Sequence, residues 1–294
     1  MSKIEEALKK LEIQDSGKAL VSPPHPASEV PRPPSRRVEV DREVLVHHRV
    51  VTVTDPRAPA SEEYRKLKAK VLQMTRTRGL NSLLVTSASY GEGKSTTAVN
   101  LAISIAEEMH QTALLVDADL RNPSLHHYLG LSPAQGLSEY LRGDGLRLDQ
   151  ILLKTPVPKL TLLPAGAPLD KTSEWFSSQK MAQLVKEIKE RYPDRYVIYD
   201  TMPILPAADT GVLSTLVDGV VLVVQWGRSR QDDVQKALSL IDHEKLLGVV
   251  VNNVSIAFKA YNAYYHGGYA GAGSIRASSG TGWLTRVKRS LWRS

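Results

Sequence analysis

Gly93, Lys94 and Ser95 close a stretch of small residues, SASYGEG, that starts at Ser87. Backbone of this kind turns sharply and brings several N–H groups close to one anion. A lysine directly after it suits the β- and γ-phosphates of a nucleotide, and the hydroxyl that follows suits Mg²⁺. Gly91, Glu92, Gly93, Lys94, Ser95 and Thr96 are therefore the expected nucleotide-binding residues, with Ser95 also on the metal. Leu83 to Thr86, ahead of the loop, read as a short buried strand. Ala98, Leu101, Ala102 and Ile105, behind it, fall at helical spacing. Strand, glycine loop and helix N-terminus together make a Walker A phosphate cradle. One position departs from the GxxxxGKS/T pattern: its first glycine is Ala88.

Acids end two further stretches. Thr112 to Val116 reads as a buried strand and runs into Asp117, Ala118, Asp119, Leu120 and Arg121. Two carboxylates and an arginine within five residues suit Mg²⁺ and phosphate. Tyr196 to Asp200 is a fourth strand with an acid at its end, the Walker B arrangement, and Asp200 is expected to hold Mg²⁺ through water. Acids just past the C-terminal ends of parallel strands point into the nucleotide crevice of a doubly wound sheet.

Alternating elements must carry these groups. Leu160 to Leu163 reads as the third strand, Val217 to Gln225 as the central buried strand, and Leu247 to Val251 as the last. Leu137 to Leu141, Ser173 to Tyr192 and Gln231 to Ile241 read as helices between them. The expected fold is α/β: a doubly wound, mostly parallel sheet with helices on both faces. From Ser61, SEEYRKLKAKVLQM reads as a capped helix, on which Glu62, Arg65 and Lys68 form a stripe, either a solvated face or a subunit contact. Val38 to Val53 reads as extended, a strand laid on the domain edge. Ser2 and Glu5 make a capping box for a short amphipathic helix, and six prolines from Ser22 to Pro34 make a linker. The expected division is residues 1–60 for helix and linker, 61–254 for the domain, and 255–294 for a basic tail.

Composition narrows the class. The chain carries 38 Lys and Arg against 31 Asp and Glu, but residues 61–254 balance at 22 of each. Residues 255–294 hold 6 basic residues and no acid, so the excess argues for an acidic or membranous neighbour near the tail and not for nucleic-acid binding. The absence of cysteine rules out disulfides and thiolate metal sites and fits a reducing cytoplasm. No apolar run reaches bilayer length, and MSKIEEALKKLE does not read as a secretory signal.

ASYGEGKST, LLVDADLRNP, VIYDTMP and EEYRKLK together resemble the bacterial tyrosine kinases, P-loop ATPases attached to exopolysaccharide and capsule loci. The resemblance covers about Ser61 to Val254 plus the composition of the tail. The most specific stretch is LLVDADLRNP, the family's Walker A′ motif. The short N-terminal helix and proline-rich linker look most like the autokinases of exosortase-type polysaccharide loci. Three departures stand out. The family's ring-forming Glu-x₂-Arg-x₂-Arg is Glu62, Arg65, Lys68 here, and lysine loses the bidentate fork. Met202 replaces the first proline of Asp-Thr-Pro-Pro, and Lys171 to Glu174 replaces an Asn-Pro-x-Glu helix start.

The resemblance implies a deviant Walker-type P-loop fold and an autokinase that moves the γ-phosphoryl of MgATP to tail tyrosines. Tyr261, Tyr264, Tyr265 and Tyr269 lie within nine residues, and the other seven tyrosines are spread over the rest of the chain. It implies that Lys94 steadies the transferring phosphate, and that Ser95 binds Mg²⁺ directly with Asp119 and Asp200 through water. Asp117 orients or deprotonates the tyrosine, with Asp119 as the alternative. Arg121 positions phosphate or the A′ loop itself, and Asn252 reads adenine. The implied partners are a transmembrane polysaccharide co-polymerase or chain-length regulator as activator, further copies of the chain in a ring, and no nucleic acid. The protein would then be cytoplasmic, peripheral to the inner membrane through that partner. Trp283, Leu284, Val287 and Leu291 share one side of a basic C-terminal helix suited to anionic lipid. The rival reading is a localisation ATPase of the partition or division type, whose signature lysine would stand where this chain has Ser89. A nucleotide-bound scaffold without phosphoryl transfer is the third.

Overall fold

The structure, a computed structural model, describes residues 41–191 and 194–254. The expected N-terminal helix and linker, the tyrosines Tyr261, Tyr264, Tyr265 and Tyr269, and the basic C-terminal helix lie outside the described residues.

Strand β1 (Ser82–Ser87) is buried at every residue, as a strand between two helical layers must be. It is joined by β2 (Thr112–Asp117), β3 (Leu153–Lys154), β4 (Leu160–Leu163), β5 (Arg195–Asp200), β6 (Gly219–Gln225) and β7 (Leu246–Asn252). The order is β3-β4-β2-β5-β1-β6-β7, and every pairing is parallel except the short β3 against β4. The doubly wound, mostly parallel sheet expected from the sequence is the fold observed.

Helices α1 (Arg42–His47), α2 (Val51–Thr54), α3 (Pro59–Thr75), α4 (Lys94–Ala106) and α5 (Leu125–Tyr128) lie on one face. Their Leu45, Leu72, Leu101 and Leu125 pack with Leu83 and Val85 of β1. The other face carries α6 (Leu137–Arg142), α7 (Leu148–Ile151), α8 (Thr172–Phe176), α9 (Gln179–Arg191), α10 (Ala208–Leu216) and α11 (Gln231–Ser239). There Leu137, Phe176, Leu184, Leu213 and Val234 pack with Leu84. Successive β1 side chains thus serve opposite cores, as the two-residue period of a strand requires.

The chain leaves β1, crosses to β2, and only later returns β5 to the gap between them. That return puts Asp117 and Asp200 in direct register at the ends of neighbouring strands, with β1 and its loop on the other side of β5. Ligands of doubly wound sheets sit at such a reversal.

Several local expectations are corrected. The described part of the 38–53 segment is not an edge strand but α1 and α2. The Asp41 carboxylate accepts the Glu43 N–H at 2.8 Å and starts α1, while Leu45 and Val50 are buried. Tertiary burial outweighs the strand preference of valine. The helix expected from Ser61 begins at Pro59, a residue whose fixed φ suits a first turn. Ser61 instead turns inward and donates to the carbonyls of Val51 (3.0 Å) and Asp55 (2.7 Å). The single helix expected from Ser173 is two, α8 and α9. Ser178 Oγ accepts the Met181 N–H and donates to the Trp175 carbonyl, capping one helix at the end of the other. Finally, β6 is not central; it is second from an edge, and β5 holds the middle. Its apolar run reflects helices on both faces, which any strand beneath two layers shares.

Candidate functional site

The loop between β1 and α4 takes left-handed backbone at Gly91 (φ 77°) and Gly93 (φ 92°). Ala88 does not, which is why alanine serves at the first position of the pattern. A Cβ on Gly93 would stand 1.9 Å from Asn252 Nδ2. That amide donates to the Glu92 carbonyl at 3.0 Å, so the end of β7 braces the loop from below. The Glu92 side chain is buried. One of its oxygens accepts the Ser89 N–H at 2.9 Å, and the Ser229 hydroxyl donates to the other.

Lys94 opens α4 and donates to Ser95 Oγ at 3.1 Å. Its Nζ lies 3.5 Å from Asp119 Oδ2 and 3.8 Å from Asp200 Oδ1. Burial works to lower the lysine pKa, but Asp200, Asp119 and Asp117 outweigh it and hold the ammonium above its ordinary value. Asp200 is fully buried, and among the described residues neither of its oxygens has a hydrogen-bond partner. Burial pushes its pKa up to about 6, against the pull of the Lys94 ammonium and the Ser95 hydroxyl.

Asp117 is also fully buried, but it is satisfied. One oxygen accepts the N–H groups of Ser124 (2.9 Å) and Leu125 (3.0 Å), and the other that of Asp119 (3.3 Å). Burial, then the Asp200 carboxylate, raises it to about 7. Asp119 holds the Asn122 N–H at 3.0 Å with Oδ1, which leaves Oδ2 toward Lys94.

This arrangement fits a nucleotide and Mg²⁺. The two buried Asp200 oxygens, which accept no hydrogen bond among the described residues, stand at one end of the sheet with a hydroxyl and a second carboxylate, a set of hard oxygen donors. Among the described residues no group of three or more histidines and acids forms a ready metal cage. Mg²⁺ does not need one, because it keeps waters and takes substrate phosphate oxygens.

A family model described as a AAA domain matches residues 84–246. Tyrosine-protein kinase YwqD of Bacillus subtilis is 34% identical over 74% of this chain and 90% of its own length. The chain belongs to the bacterial tyrosine-protein kinases. This tyrosine kinase is also similar to the succinoglycan biosynthesis transport protein ExoP of Rhizobium meliloti, 32% identical over 70% of this chain and 26% of ExoP. Among solved structures, the kinase domain of Escherichia coli tyrosine kinase ETK matches with a TM-score of 0.66 at 25% identity, over 78% of this chain and 84% of that one.

The kinase brings Lys94, Ser95, Asp117, Asp119 and Asp200 together, while Arg121 has partners of its own. Arg121 Nε donates to Thr172 Oγ1 at 2.9 Å, and its Nη2 lies 3.3 Å from Asp209. Asp209, at the start of α10 and buried, also accepts the hydroxyls of Thr172 and Ser173. Arg121 therefore pins the A′ loop to α8 and α10. On α3, Arg65 pairs with Glu62 (2.9 Å) and donates to the Pro56 carbonyl (2.6 Å), while Lys68 pairs with Glu108 (2.6 Å). Asp209 and Ser229 escaped the sequence reading. An acid in a first helical turn and a serine in a loop are too common for spacing to single them out.

Proposed function

We propose that this tyrosine kinase is an autokinase of an exopolysaccharide or capsule system and phosphorylates Tyr261, Tyr264, Tyr265 and Tyr269. The observation that carries the reading is the buried Lys94, Asp119 and Asp200 cluster at the end of the phosphate loop. ATP is the phosphoryl donor: the bond from its γ-phosphorus to the β,γ-bridging oxygen breaks, ADP leaves with that oxygen, a bond from the γ-phosphorus to the tyrosine oxygen forms, and the tyrosine proton passes to a carboxylate. Lys94 neutralises charge on the transferred group, and the loop N–H groups hold the phosphates. Ser95, Asp119 and Asp200 would hold Mg²⁺, which neutralises phosphate charge. Asp117 has both oxygens engaged by backbone, so its role is to shape the A′ loop. Asp119, whose Oδ2 faces Lys94 and is held by no backbone N–H among the described residues, is then the better group to orient the acceptor hydroxyl. Asn252 acts through the loop that it braces.

A domain end near residue 254, and a tail that meets anionic lipid, belong to the same proposal; the expected start at residue 61 is corrected, since Leu45 and Val50 pack into the same core as Leu83 and Leu101. The proposed activator is a transmembrane polysaccharide co-polymerase or chain-length regulator, which would hold the kinase at the inner membrane. No helix among the described residues is long and apolar enough to cross a membrane, and the chain matches only a part of a transport protein. Self-association, in a ring, would use Glu62 and Arg65, with Lys68 diverted to Glu108.

The test is to incubate the purified chain with MgATP and map phosphotyrosine by mass spectrometry. Modification should fall on the four tail tyrosines. A nucleotide-binding protein that leaves all four bare overturns the reading.

A further inference from the structure

Asn100 lies in the second turn of α4 and is fully buried, yet its amide makes four hydrogen bonds. Nδ2 donates to the carbonyls of Thr96 (2.8 Å) and Arg49 (3.0 Å). Oδ1 accepts the N–H (3.1 Å) and hydroxyl (3.0 Å) of Thr52. An asparagine amide offers two donors and two acceptor sites, so every one is used. The partners fix its orientation too: a reversed amide would face two carbonyls with oxygen and an N–H with nitrogen.

These bonds tie residues 49–52 to the first turn of α4, where Ser95 and Thr96 follow the phosphate loop. The local backbone is shaped for it. Arg49 has a left-handed φ of 56°, unusual for a side chain without a polar stub, and its carbonyl is one that Asn100 holds. A second link runs parallel to the first. The His48 ring stacks on Tyr128 with centroids 4.5 Å apart, and the Tyr128 hydroxyl lies 3.5 Å from Thr96 Oγ1. The strap is also tied outward, because Ser61 donates to Val51 and Asp55, and Arg65 to Pro56.

We infer that Asn100 is a positioning residue for nucleotide binding: it clamps the 49–52 strap onto the first turn of the phosphate-binding helix, so the strap is part of the nucleotide site. The inference rests on the nucleotide reading above and deepens it. Thr96 stands in the first turn of α4, whose N–H groups would meet phosphate, and loosening the clamp lets that turn move. The effect belongs in nucleotide affinity, since Asn100 touches none of the reacting groups.

The experiment uses the full chain carrying Thr52→Val, Thr52→Ser or Asn100→Leu, with ADP titration, the KM for ATP and kcat of autophosphorylation, and thermal unfolding without nucleotide. Thr52→Val keeps the packing and loses the hydroxyl donor. It should raise the ADP dissociation constant and the KM for ATP by about 3- to 10-fold, the worth of one buried hydrogen bond, with kcat within about twofold. Thr52→Ser should restore both. Asn100→Leu should show a larger loss if it folds; if it does not, the Thr52 pair decides alone. Unchanged affinity in folded Thr52→Val, or a drop in melting temperature without a change in KM, overturns the role. Titration keeps this separate from the kinase reading: wild-type protein that binds ADP but phosphorylates nothing refutes transfer and leaves the clamp to be judged on binding. Wild-type protein that binds no nucleotide overturns both.

Discussion

Lys94 Nζ lies 3.8 Å from Asp200, a buried carboxylate that accepts no hydrogen bond among the described residues. Such a pair adds little stability, since buried charge in a packed core is costly unless it is fully partnered. Lys94→Ala removes the cation that faces the phosphates, and Asp200 can answer by taking a proton. The expected outcome is a folded protein whose phosphotyrosine signal falls at least about 100-fold. Circular dichroism and mass spectrometry on one preparation check both halves.

The raised carboxyl groups predict a pH dependence of stability. Asp117 (about 7) and Asp200 (about 6) both titrate above their ordinary 3.8 in the folded protein. Folding therefore favours their protonated forms. Their contribution is full below about pH 4 and is lost as pH rises through 6 to 7. His48 and His126, lowered mainly by burial, act in the opposite sense as pH falls. The clean readout is thus a difference. Asp200→Asn should gain melting temperature over wild type by on the order of 2–4 °C more at pH 8 than at pH 5. A gain independent of pH would refute the assignment.

Asn252 offers a choice between reading the base and bracing the loop. Its Nδ2 is already committed to the Glu92 carbonyl. Asn252→Ala should therefore weaken ATP and inorganic tripolyphosphate by the same factor, roughly 5- to 10-fold for one hydrogen bond and a loosened loop. Competition titration against a fluorescent nucleotide measures both. Loss confined to ATP would assign the residue to adenine.

Asp209 gathers Arg121, Thr172 and Ser173 in a buried position. Asp209→Ala leaves two hydroxyls and a guanidinium without their acceptor, which should cost about 1–3 kcal/mol. Asp209→Asn, which keeps an acceptor oxygen, should cost less. Thermal unfolding ranks the two, and equal losses would show that charge on Asp209 is what matters.

The charged stripe of α3 makes a prediction about assembly. Lys68 is paired with Glu108 at 2.6 Å, so Lys68→Ala should leave the mass in solution unchanged and cost about 0–1 kcal/mol, as a partly exposed pair does. Replacing Glu62 and Arg65 together should shrink the assembly. Light scattering on dephosphorylated protein is the check, and phosphorylation should itself lower the mass, since four phosphates add roughly −6 to −8 of charge to the tail.

Much of this kinase can be read from its sequence because the signals are local. A glycine loop ending in Lys94 and Ser95, the acids Asp117, Asp119 and Asp200 at strand ends, and short apolar runs each need only neighbouring residues to be recognised. They determined the doubly wound class and the core of the site. The tertiary structure alone decided what lies beside what. Asp117 meets Asp200 because β5 returns to the gap between β1 and β2, a matter of strand order that no periodicity records. Arg121 turns to Asp209, Lys68 to Glu108, and Asn100 to Thr52, each across tens of residues. The valine-rich 41–53 segment became helix for the same reason. Its preference for extended backbone is worth a fraction of a kcal/mol per residue, and burial of Leu45 and Val50 with the bonds to Asn100 outweighs it. Contacts between distant residues are set by the packing of whole elements, and a sequence states those elements one at a time.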